Sequence, residues 1–207
     1  MSYIVCIEGN IASGKTTVLQ EIEKKGYKVF YEPYKDNLYL PLFYQNPPKY
    51  ALVTQLEFLS DRYKQFKSAE TVGNDIAFIE RSPYTDRFVF VEMLRKQGTL
   101  QDIEVELYKK IFETWKTPLP NYTVLLNTPP NECYRRMRQR GRGMEEGVSL
   151  QYLQDLGEVY LQNYDKLGIR TSKKYNIEAP EKTALSIIEK VEENFVKYNK
   201  WGVNNGN

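Results

Sequence analysis

The chain has 207 residues, of which 41% are apolar, 14% aromatic and 27% charged, so its size and composition suit one globular domain. Its 29 basic and 27 acidic side chains leave a net charge of +2, which excludes a polybasic nucleic-acid coat and an acidic tail as main themes. The sequence contains no histidine, and this excludes an imidazole base, Ser-His or Cys-His catalysis and His-dependent zinc sites.

Cellular location is indicated by the cysteines and by the N-terminal residues. Cys6 and Cys133 are far apart and form no CxxC motif, so a disulfide framework is not expected and a reducing compartment is the default. Glu8 ends the first apolar run too soon for a signal peptide, and no stretch approaches the length of a membrane span. The sequence predicts a cytoplasmic protein that binds neither a membrane nor nucleic acid.

The predicted elements begin with a short apolar run over 3–8, typical of a buried parallel strand, and a helix over 16–25. Strands are then predicted over 27–31, 75–80, 122–127 and 173–177, and helices over 38–44, 50–69, 82–96, 102–115, 131–140, 150–167 and 181–198. Because strands alternate with helices, we expect one α/β domain over 1–207 with a five-stranded parallel sheet. A flexible tail is expected over about 199–207.

A phosphate-binding loop follows the first strand. Its residues are Gly9, Asn10, Ile11, Ala12, Ser13, Gly14, Lys15 and Thr16, which fit G-x-x-x-x-G-K-[ST] in full, and Thr17 comes next. The glycines allow a tight turn whose N–H groups point at phosphates, Lys15 adds a charge, and Thr16 offers a hydroxyl to Mg²⁺. A dinucleotide-binding loop is a weaker interpretation, because Ile11 replaces the second glycine of G-x-G-x-x-G.

Two carboxylates are predicted at strand ends. Glu32 ends the second strand and Glu80 ends the third, with Arg81 directly after it. One carboxylate could take a proton from an attacking hydroxyl and the other could hold Mg²⁺, while Arg81 could neutralise a transferring phosphoryl group. The alternative is that both carboxylates are simply solvated where strands leave the core.

Five arginines lie within eight residues, at positions 135, 136, 138, 140 and 142. One interpretation is a lid over about 135–147 that closes on nucleotide phosphates, with Gly141 and Gly143 supplying freedom of motion. A nucleic-acid patch and a solvated charged helix are the alternatives, but nothing basic elsewhere extends such a patch.

Together these residues resemble the deoxynucleoside kinase family, which includes the deoxycytidine, deoxyguanosine and insect deoxynucleoside kinases. The similarity runs from about Tyr3 to Glu192. It is carried by Gly-Asn-Ile-Ala-Ser-Gly-Lys-Thr-Thr at 9–17, Glu-Pro at 32–33, Glu-Arg-Ser-Pro-Tyr-Thr-Asp-Arg at 80–87, Arg-Gln-Arg-Gly-Arg-Gly-Met-Glu-Glu-Gly at 138–147 and Leu-Gln-Tyr-Leu at 150–153. The resemblance implies a P-loop kinase fold with an arginine-rich lid.

The resemblance also implies roles for individual residues. It makes Glu32 the general base, Glu80 the carboxylate on the Mg²⁺ side, and Arg81 with the lid residues Arg136, Arg140 and Arg142 the catalytic arginines. It assigns the sugar 3′-hydroxyl to Tyr44 and Glu145, and the base to Gln55, Phe90 and the pair Arg62 and Asp86. It assigns the adenine of ATP to the segment that includes Glu178, Ala179 and Pro180. Family members are commonly homodimers, and helices such as 50–69 and 102–115 would form the interface.

Three positions depart from the family pattern and bear on the preferred base. Asn37 replaces a tryptophan, Phe58 replaces a small residue of the base pocket, and Thr54 replaces an aromatic residue beside Gln55. The resemblance predicts ATP- and Mg²⁺-dependent phosphorylation of a deoxynucleoside, and the Arg62 and Asp86 pair predicts that deoxycytidine or a purine deoxynucleoside is preferred over thymidine. The alternatives are a nucleoside monophosphate kinase of the thymidylate kinase type and a nucleotide-binding regulator without turnover.

Overall fold

The structure is a computed structural model that describes residues 2–73, 75–173 and 179–204, with side chains described up to residue 199. The strands within these ranges are β1 (Tyr3–Gly9), β2 (Lys28–Phe30), β3 (Ile76–Glu80), β4 (Tyr122–Leu126) and β5 (Ile169–Lys173). The helices are α1 (Lys15–Lys24), α2 (Leu40–Gln45), α3 (Pro47–Glu70), α4 (Pro83–Thr85), α5 (Val91–Lys96), α6 (Asp102–Thr114), α7 (Pro130–Arg140), α8 (Leu150–Gln162) and α9 (Pro180–Asn204). A π-helical segment (Asp86–Phe90) joins α4 to α5, and a 3₁₀ turn (Gly143–Glu145) follows α7.

The five strands form one parallel sheet in the order β2-β3-β1-β4-β5. All residues of β1, β3 and β4 are buried, as expected for the central strands of a sheet that is covered on both faces. The predicted α/β fold with a five-stranded parallel sheet flanked by helices is therefore confirmed. Since all strands run the same way, their carboxyl ends meet at one edge. There the phosphate-binding loop follows β1, Glu80 ends β3 and Glu32 comes shortly after β2.

Helices cover both faces of the sheet, and alternate residues of β1 face them. Val5 and Ile7 pack in a core with Val18 and Ile22 of α1, and this core includes buried residues of α9. Cys6, of opposite parity, packs against α3 in a second core. This alternation follows from the two-residue period of a strand and sandwiches β1 between two apolar layers.

Several predicted boundaries differ from the structure. Helix α3 begins at Pro47 and not at Tyr50, because a helix tolerates proline in its first turn and Asn46 caps it through Lys49 N. Helix α9 begins at Pro180 and continues to Asn204, past the predicted end at Tyr198 and into the expected tail. The predicted helix over 82–96 begins at Pro83, with Ser82 as its N-cap, and its middle widens into the π-helical segment.

The last strand is the largest error. It was expected over 173–177, but β5 spans Ile169–Lys173 and the preceding helix α8 ends at Gln162. This strand lies at the edge of the sheet, and its side chains alternate between buried or half-buried and exposed, so it lacks the apolar run that marks the central strands. Residues 174–177 lie outside the described part of the chain. Among the described helices, none is both long enough and apolar enough to cross a membrane.

Candidate active site

The phosphate-binding loop is closed by a contact that only glycine allows. Gly9 has a φ of 145°, and a Cβ there would lie 2.7 Å from Ser13 Oγ and 2.8 Å from the carbonyl oxygen of Leu126. Lys15 is buried, and its ammonium donates to the carbonyl oxygens of Gly9 and Asn10 at 3.3 and 2.9 Å. Burial lowers the pKa of Lys15 to about 8, so the loop holds a poorly solvated cation where phosphate would sit.

Thr16 and Glu80 lie together at the start of α1. The Thr16 hydroxyl donates to both carboxylate oxygens of Glu80, at 3.0 and 3.2 Å. Burial raises the pKa of Glu80, and the neighbouring charge of Glu32 raises it further. A hydroxyl and a carboxylate form the all-oxygen donor set that suits Mg²⁺, which keeps several waters and binds through few protein groups. The described residues contain no group of three or more His, Cys, Asp or Glu side chains that could hold a metal ion.

Glu32 lies between two guanidinium groups. Its Oε1 accepts from Arg62 Nη2, and its Oε2 lies 3.3 Å from Arg81 Nε. Burial by itself would raise the pKa of Glu32, but the charges of Arg62, Arg81 and Lys15 outweigh it and lower that pKa to about 2. The side chain is therefore a carboxylate at any physiological pH.

Arg81 is held in an unusual backbone conformation at the end of β3. Its φ is 64°, in the left-handed region, and its N–H donates to Ile7 O at 3.1 Å. The guanidinium lies over the ring of Phe90, 4.9 Å from its centroid, and Nη1 donates to the hydroxyl of Tyr160. Backbone and side chain thus fix Arg81 together.

Arg62 and Asp86 form the ion pair that the resemblance implies, although they lie 24 positions apart on different elements. Asp86 is the first residue of the π-helical segment and is fully buried. Arg62 is 2% exposed, contacts both Asp86 and Glu32, and lies 4.8 Å from the ring centroid of Phe58. One guanidinium therefore connects the π-helical segment with Glu32.

The arginines of α7 and of the turn after it divide into two groups. Arg140 makes a bidentate ion pair with Glu145, in which Nη2 and Nε lie 2.6 and 3.1 Å from the two carboxylate oxygens. Arg142 Nη1 lies 3.6 Å from the same carboxylate. Arg136 pairs with Glu132 at 2.7 Å and also reaches the backbone of the phosphate-binding loop, 3.4 Å from Ser13 O.

The other two arginines have structural partners. Arg138 donates to the carbonyl oxygens of Glu146 and Val148, which follow the 3₁₀ turn. Arg135 pairs on the surface with Glu132 and Gln139. Only the first group lines the cavity described next.

One cavity of about 610 Å³ brings most of the predicted site residues together. It is lined by loop residues Ile11 to Thr17 and by the predicted Glu32, Tyr44, Gln55, Arg62, Glu80, Arg81, Phe90, Arg136, Arg140, Arg142, Glu145 and Pro180. The lining does not include Gly9, Asn10, Asp86 or Ala179, and Glu178 lies outside the described residues. The side-chain amide of Asn10 instead donates to Leu153 O at 2.7 Å, so this residue ties the loop to α8.

The cavity also contains residues that sequence reasoning did not assign to it. These are Gln20, Tyr34, Leu40, Phe43, Met144 and Tyr152. Tyr34 follows the Glu-Pro motif directly, and Arg142 lies 4.0 Å from its ring centroid, so the motif was a usable signal. Of the three departures, Phe58 lines the cavity, whereas Thr54 and Asn37 do not. Asn37 instead accepts from the N–H groups of Tyr39 and Leu40, before α2.

The phosphate loop at the end of a central parallel strand, with arginines facing it across a cavity, defines a P-loop protein with the kinase fold. A family model described as "Deoxynucleoside kinase" matches residues 5–200. The chain therefore belongs to the deoxynucleoside kinase family, which confirms the resemblance.

Relatives and solved structures agree with this assignment. The chain is 38% identical to a deoxyguanosine kinase of Dictyostelium discoideum over 77% of its own length and 58% of the relative's. It is 32% identical to a deoxyadenosine kinase of the same organism over 75% of its length and 64% of the relative's, so it spans about three fifths of these two proteins. The structure of deoxyadenosine kinase from M. mycoides with bound dATP aligns with a TM-score of 0.79, covering 90% of this chain and 99% of that one, at 21% identity, which shows the shared fold.

Proposed function

We propose that this chain transfers the γ-phosphoryl group of ATP to the 5′-hydroxyl of a deoxynucleoside and so forms the 5′-monophosphate. The observation that carries the proposal is the position of Glu32, a half-buried carboxylate that lines the same cavity as Lys15. A carboxylate there attracts a neutral hydroxyl, while the loop and Lys15 attract phosphate. One cavity thus offers adjacent places for the acceptor and the donor of a phosphoryl transfer.

The charged side chains of the cavity would share the work of this transfer. Lys15 and the N–H groups of the loop hold the β- and γ-phosphates, and Arg81, Arg136, Arg140 and Arg142 neutralise charge on the group in transfer. Thr16 and Glu80 would hold Mg²⁺, which supplies charge neutralisation at the phosphate oxygens when bound. Ala179 and Pro180 would contact the adenine of ATP.

Glu32 would orient the acceptor hydroxyl more than it would pull on its proton. A carboxylate with a pKa of about 2 is a weak base towards an alcohol. Phosphoryl transfer passes through a loose transition state, in which the attacking oxygen becomes acidic only as its bond to phosphorus forms. An always-ionised carboxylate that accepts the hydroxyl hydrogen bond fits that late proton transfer.

The remaining cavity residues would select the nucleoside. Tyr44 and Glu145 would hold the sugar 3′-hydroxyl, and Phe90 would pack on the base. Gln55 is buried in the cavity wall with its Oε1 unpaired among the described residues, so an acceptor is free for an exocyclic amine. The relatives named above are deoxyguanosine and deoxyadenosine kinases, and a relative in fowlpox virus is named a probable deoxycytidine kinase. We propose a preference for deoxycytidine or a purine deoxynucleoside over thymidine.

A nucleoside monophosphate kinase of the thymidylate kinase type is the nearest alternative. Its acceptor carries a phosphate and needs surplus positive charge beside it. Here the two guanidiniums next to the acceptor position, Arg62 and Arg81, are matched by the carboxylates of Glu32 and Asp86. The cluster has no net charge to offer a phosphate, which favours a neutral hydroxyl acceptor.

A panel assay tests the proposed function. ATP consumption is measured with each of the four deoxynucleosides and with the four deoxynucleoside monophosphates, and the Lys15→Ala variant reports background. Turnover with deoxynucleosides alone is the expected result. Turnover only with monophosphates would favour the alternative kinase class, and nucleotide binding without turnover on any acceptor would favour a regulator.

The base preference has its own test in the Arg62 and Asp86 pair. A thymine methyl at this position would meet the Arg62 guanidinium, whose partner Asp86 is fully buried, and would disturb that ion pair. Replacing both residues, as Arg62→Met with Asp86→Ala, is expected to raise kcat/KM for thymidine relative to deoxycytidine. Since Arg62 also contacts Glu32, total turnover falls, and the ratio is the informative quantity. A wild-type enzyme that already favours thymidine contradicts the prediction.

We also propose that the chain acts as a cytoplasmic homodimer through α3 and α6. Ile103 and Leu107 support the interface, because they lie one turn apart on α6 and are 74% and 47% exposed. Cys6 and Cys133 are both free and buried, which suits a reducing compartment.

A further inference from the structure

A buried cluster of polar side chains connects β1 and α8 with Arg81. Its centre is Glu8 of β1, which is 0% exposed and does not line the cavity. The carboxylate accepts from Cys6 Sγ at 3.2 Å, from Ser82 Oγ at 3.5 Å, from Thr85 Oγ1, and from the Tyr160 hydroxyl at 3.1 Å. We call these five residues the Glu8 cluster.

The hydroxyl of Tyr160 is the link between this cluster and Arg81. Tyr160 is 2% exposed and has one hydroxyl proton, which it donates to Glu8 Oε2. Its lone pairs are then directed to the other side, where it accepts from Arg81 Nη1. A chain of two hydrogen bonds therefore connects the guanidinium through one hydroxyl to a buried carboxylate.

The Glu8 carboxylate, at the end of this hydrogen-bond chain, is held in a fixed orientation. No salt bridge reaches it from any side chain in the described ranges. Its stabilisation therefore comes from the donors of the cluster, which lie on β1, at the two ends of α4 and on α8. A carboxylate held by donors from separate elements cannot rotate without breaking several buried hydrogen bonds. The Tyr160 hydroxyl is thereby held in one place.

The Arg81 guanidinium therefore has polar contacts at two of its nitrogen atoms. Nε faces Glu32 in the cavity at 3.3 Å, and Nη1 faces Tyr160, which lies outside the cavity lining. Glu32 would need to respond to the acceptor hydroxyl during the reaction, whereas Tyr160 has no contact with the cavity. The hydrogen bond to Tyr160 can therefore keep the guanidinium in place when the contact with Glu32 changes.

We propose that Glu8 and Tyr160 are positioning residues for phosphoryl transfer, which hold the guanidinium of Arg81 in its working orientation. This inference rests on the proposed function for its kinetic consequence, since Arg81 is the residue that meets the transferring group. Both residues act through Arg81 and neither touches a substrate.

The kinetic test is a double-mutant cycle. Tyr160→Phe keeps the ring and removes only the hydroxyl, and it is expected to lower kcat by about 10- to 100-fold while each KM changes by less than about threefold. In an Arg81→Ala background the same change is expected to have no further effect on kcat, and Glu8→Gln is expected to behave in the same way.

The matched control is Tyr108→Phe, because Tyr108 is also fully buried and its hydroxyl has no partner within the described residues. This variant should leave kcat unchanged. Losses that simply add to that of Arg81→Ala would overturn the proposal.

A second readout does not depend on activity. The Arg81 Nε–H signal in a ¹⁵N NMR spectrum, assigned by its loss in Arg81→Lys, is expected to exchange slowly with water in the wild-type protein. Tyr160→Phe should increase that exchange rate at least about tenfold, while Tyr108→Phe should not. If no deoxynucleoside is phosphorylated, the proposed function fails and the exchange rate still decides the positioning role. An unchanged rate in Tyr160→Phe would refute that role.

Discussion

Glu32 shows how its neighbours set the chemistry of a single residue. A buried carboxylate without partners would have a raised pKa and be partly protonated near neutral pH. Two guanidiniums and the ammonium of Lys15 reverse that direction and bring the pKa of Glu32 to about 2. An acid limb in the pH profile of kcat is therefore not expected from Glu32, whereas Glu80, whose pKa is raised, is a candidate for one.

Replacing this carboxylate tests its role directly. Glu32→Gln is expected to lower kcat by roughly 10²–10⁴ while the Kd for ATP stays within about threefold, because the amide cannot accept the acceptor's proton. Steady-state kinetics and calorimetric titration of a non-hydrolysable ATP analogue measure the two quantities. Glu21→Gln, which breaks a surface pair with Lys24, is the control. A kcat close to the wild-type value would show that the base lies elsewhere.

Lys15 provides a pH-dependent prediction. Since burial brings its pKa to about 8, its ammonium is charged below that pH and becomes neutral above it in the empty site. Bound phosphate favours the charged form, so the Kd for an ATP analogue is expected to rise about tenfold between pH 7 and pH 9. Lys15→Ala should bind the analogue more weakly at pH 7, turn over less, and show no such rise. The same slope in both proteins would assign the pH dependence to another group.

At the scale of elements, α7 and the turn after it bring a set of arginines over the cavity. Arg138 holds the backbone after the 3₁₀ turn, while Arg140 and Arg142 share Glu145. Phosphate would compete with Glu145 for these two guanidiniums. Charge repulsion within the segment is thus relieved by an acidic partner that can exchange for a substrate group.

The lid hypothesis predicts different effects for arginines that line the cavity and arginines that do not. Arg140→Ala is expected to lower kcat by about 10²-fold with a much smaller change in the nucleoside KM, because the side chain acts on the group in transfer. Arg135→Ala, on the same helix but outside the cavity, should keep kcat within about twofold. Equal losses in both variants, or a change in solubility alone for Arg140→Ala, would favour a solvated helix over a lid.

At the scale of the whole molecule, the exposed apolar face of α6 is the place to test assembly. Replacing Ile103 and Leu107 with glutamate adds two charges to the proposed interface and is expected to convert dimers to monomers. Sedimentation velocity measures the change. Lys109→Ala, on another face of the same helix, should sediment like the wild-type protein. A wild-type protein that sediments as a monomer at micromolar concentration contradicts the proposed dimer.

Local sequence signals accounted for the fold wherever an element carries its own pattern. β1, β3 and β4 are largely apolar runs with polar residues at or just after their ends. The motif of the phosphate-binding loop predicts that α1 follows it. β5 has no such run, because an edge strand needs apolar side chains on one face only, and its position depends on pairing with β4. The π-helical segment also has no local signature, since its widening depends on the packing of neighbouring helices.

The sequence by itself determined the residues with fixed local geometry: the phosphate-binding loop over 9–16, the Glu-Pro and Glu-Arg-Ser motifs, and the arginines of 135–142. Only the tertiary structure decided how these groups meet. Arg62 bridges Glu32 and Asp86, and Tyr160, which lies 152 positions after Glu8, joins Glu8 to Arg81. The loop follows from backbone conformations encoded within eight residues, whereas the ion pairs depend on parallel strands ending at one edge and on helices packed against them. Burial then lowers the pKa of Lys15 and raises that of Glu80, while the charges of Arg62, Arg81 and Lys15 lower the pKa of Glu32. These surroundings exist only after distant parts of the chain have closed around each side chain.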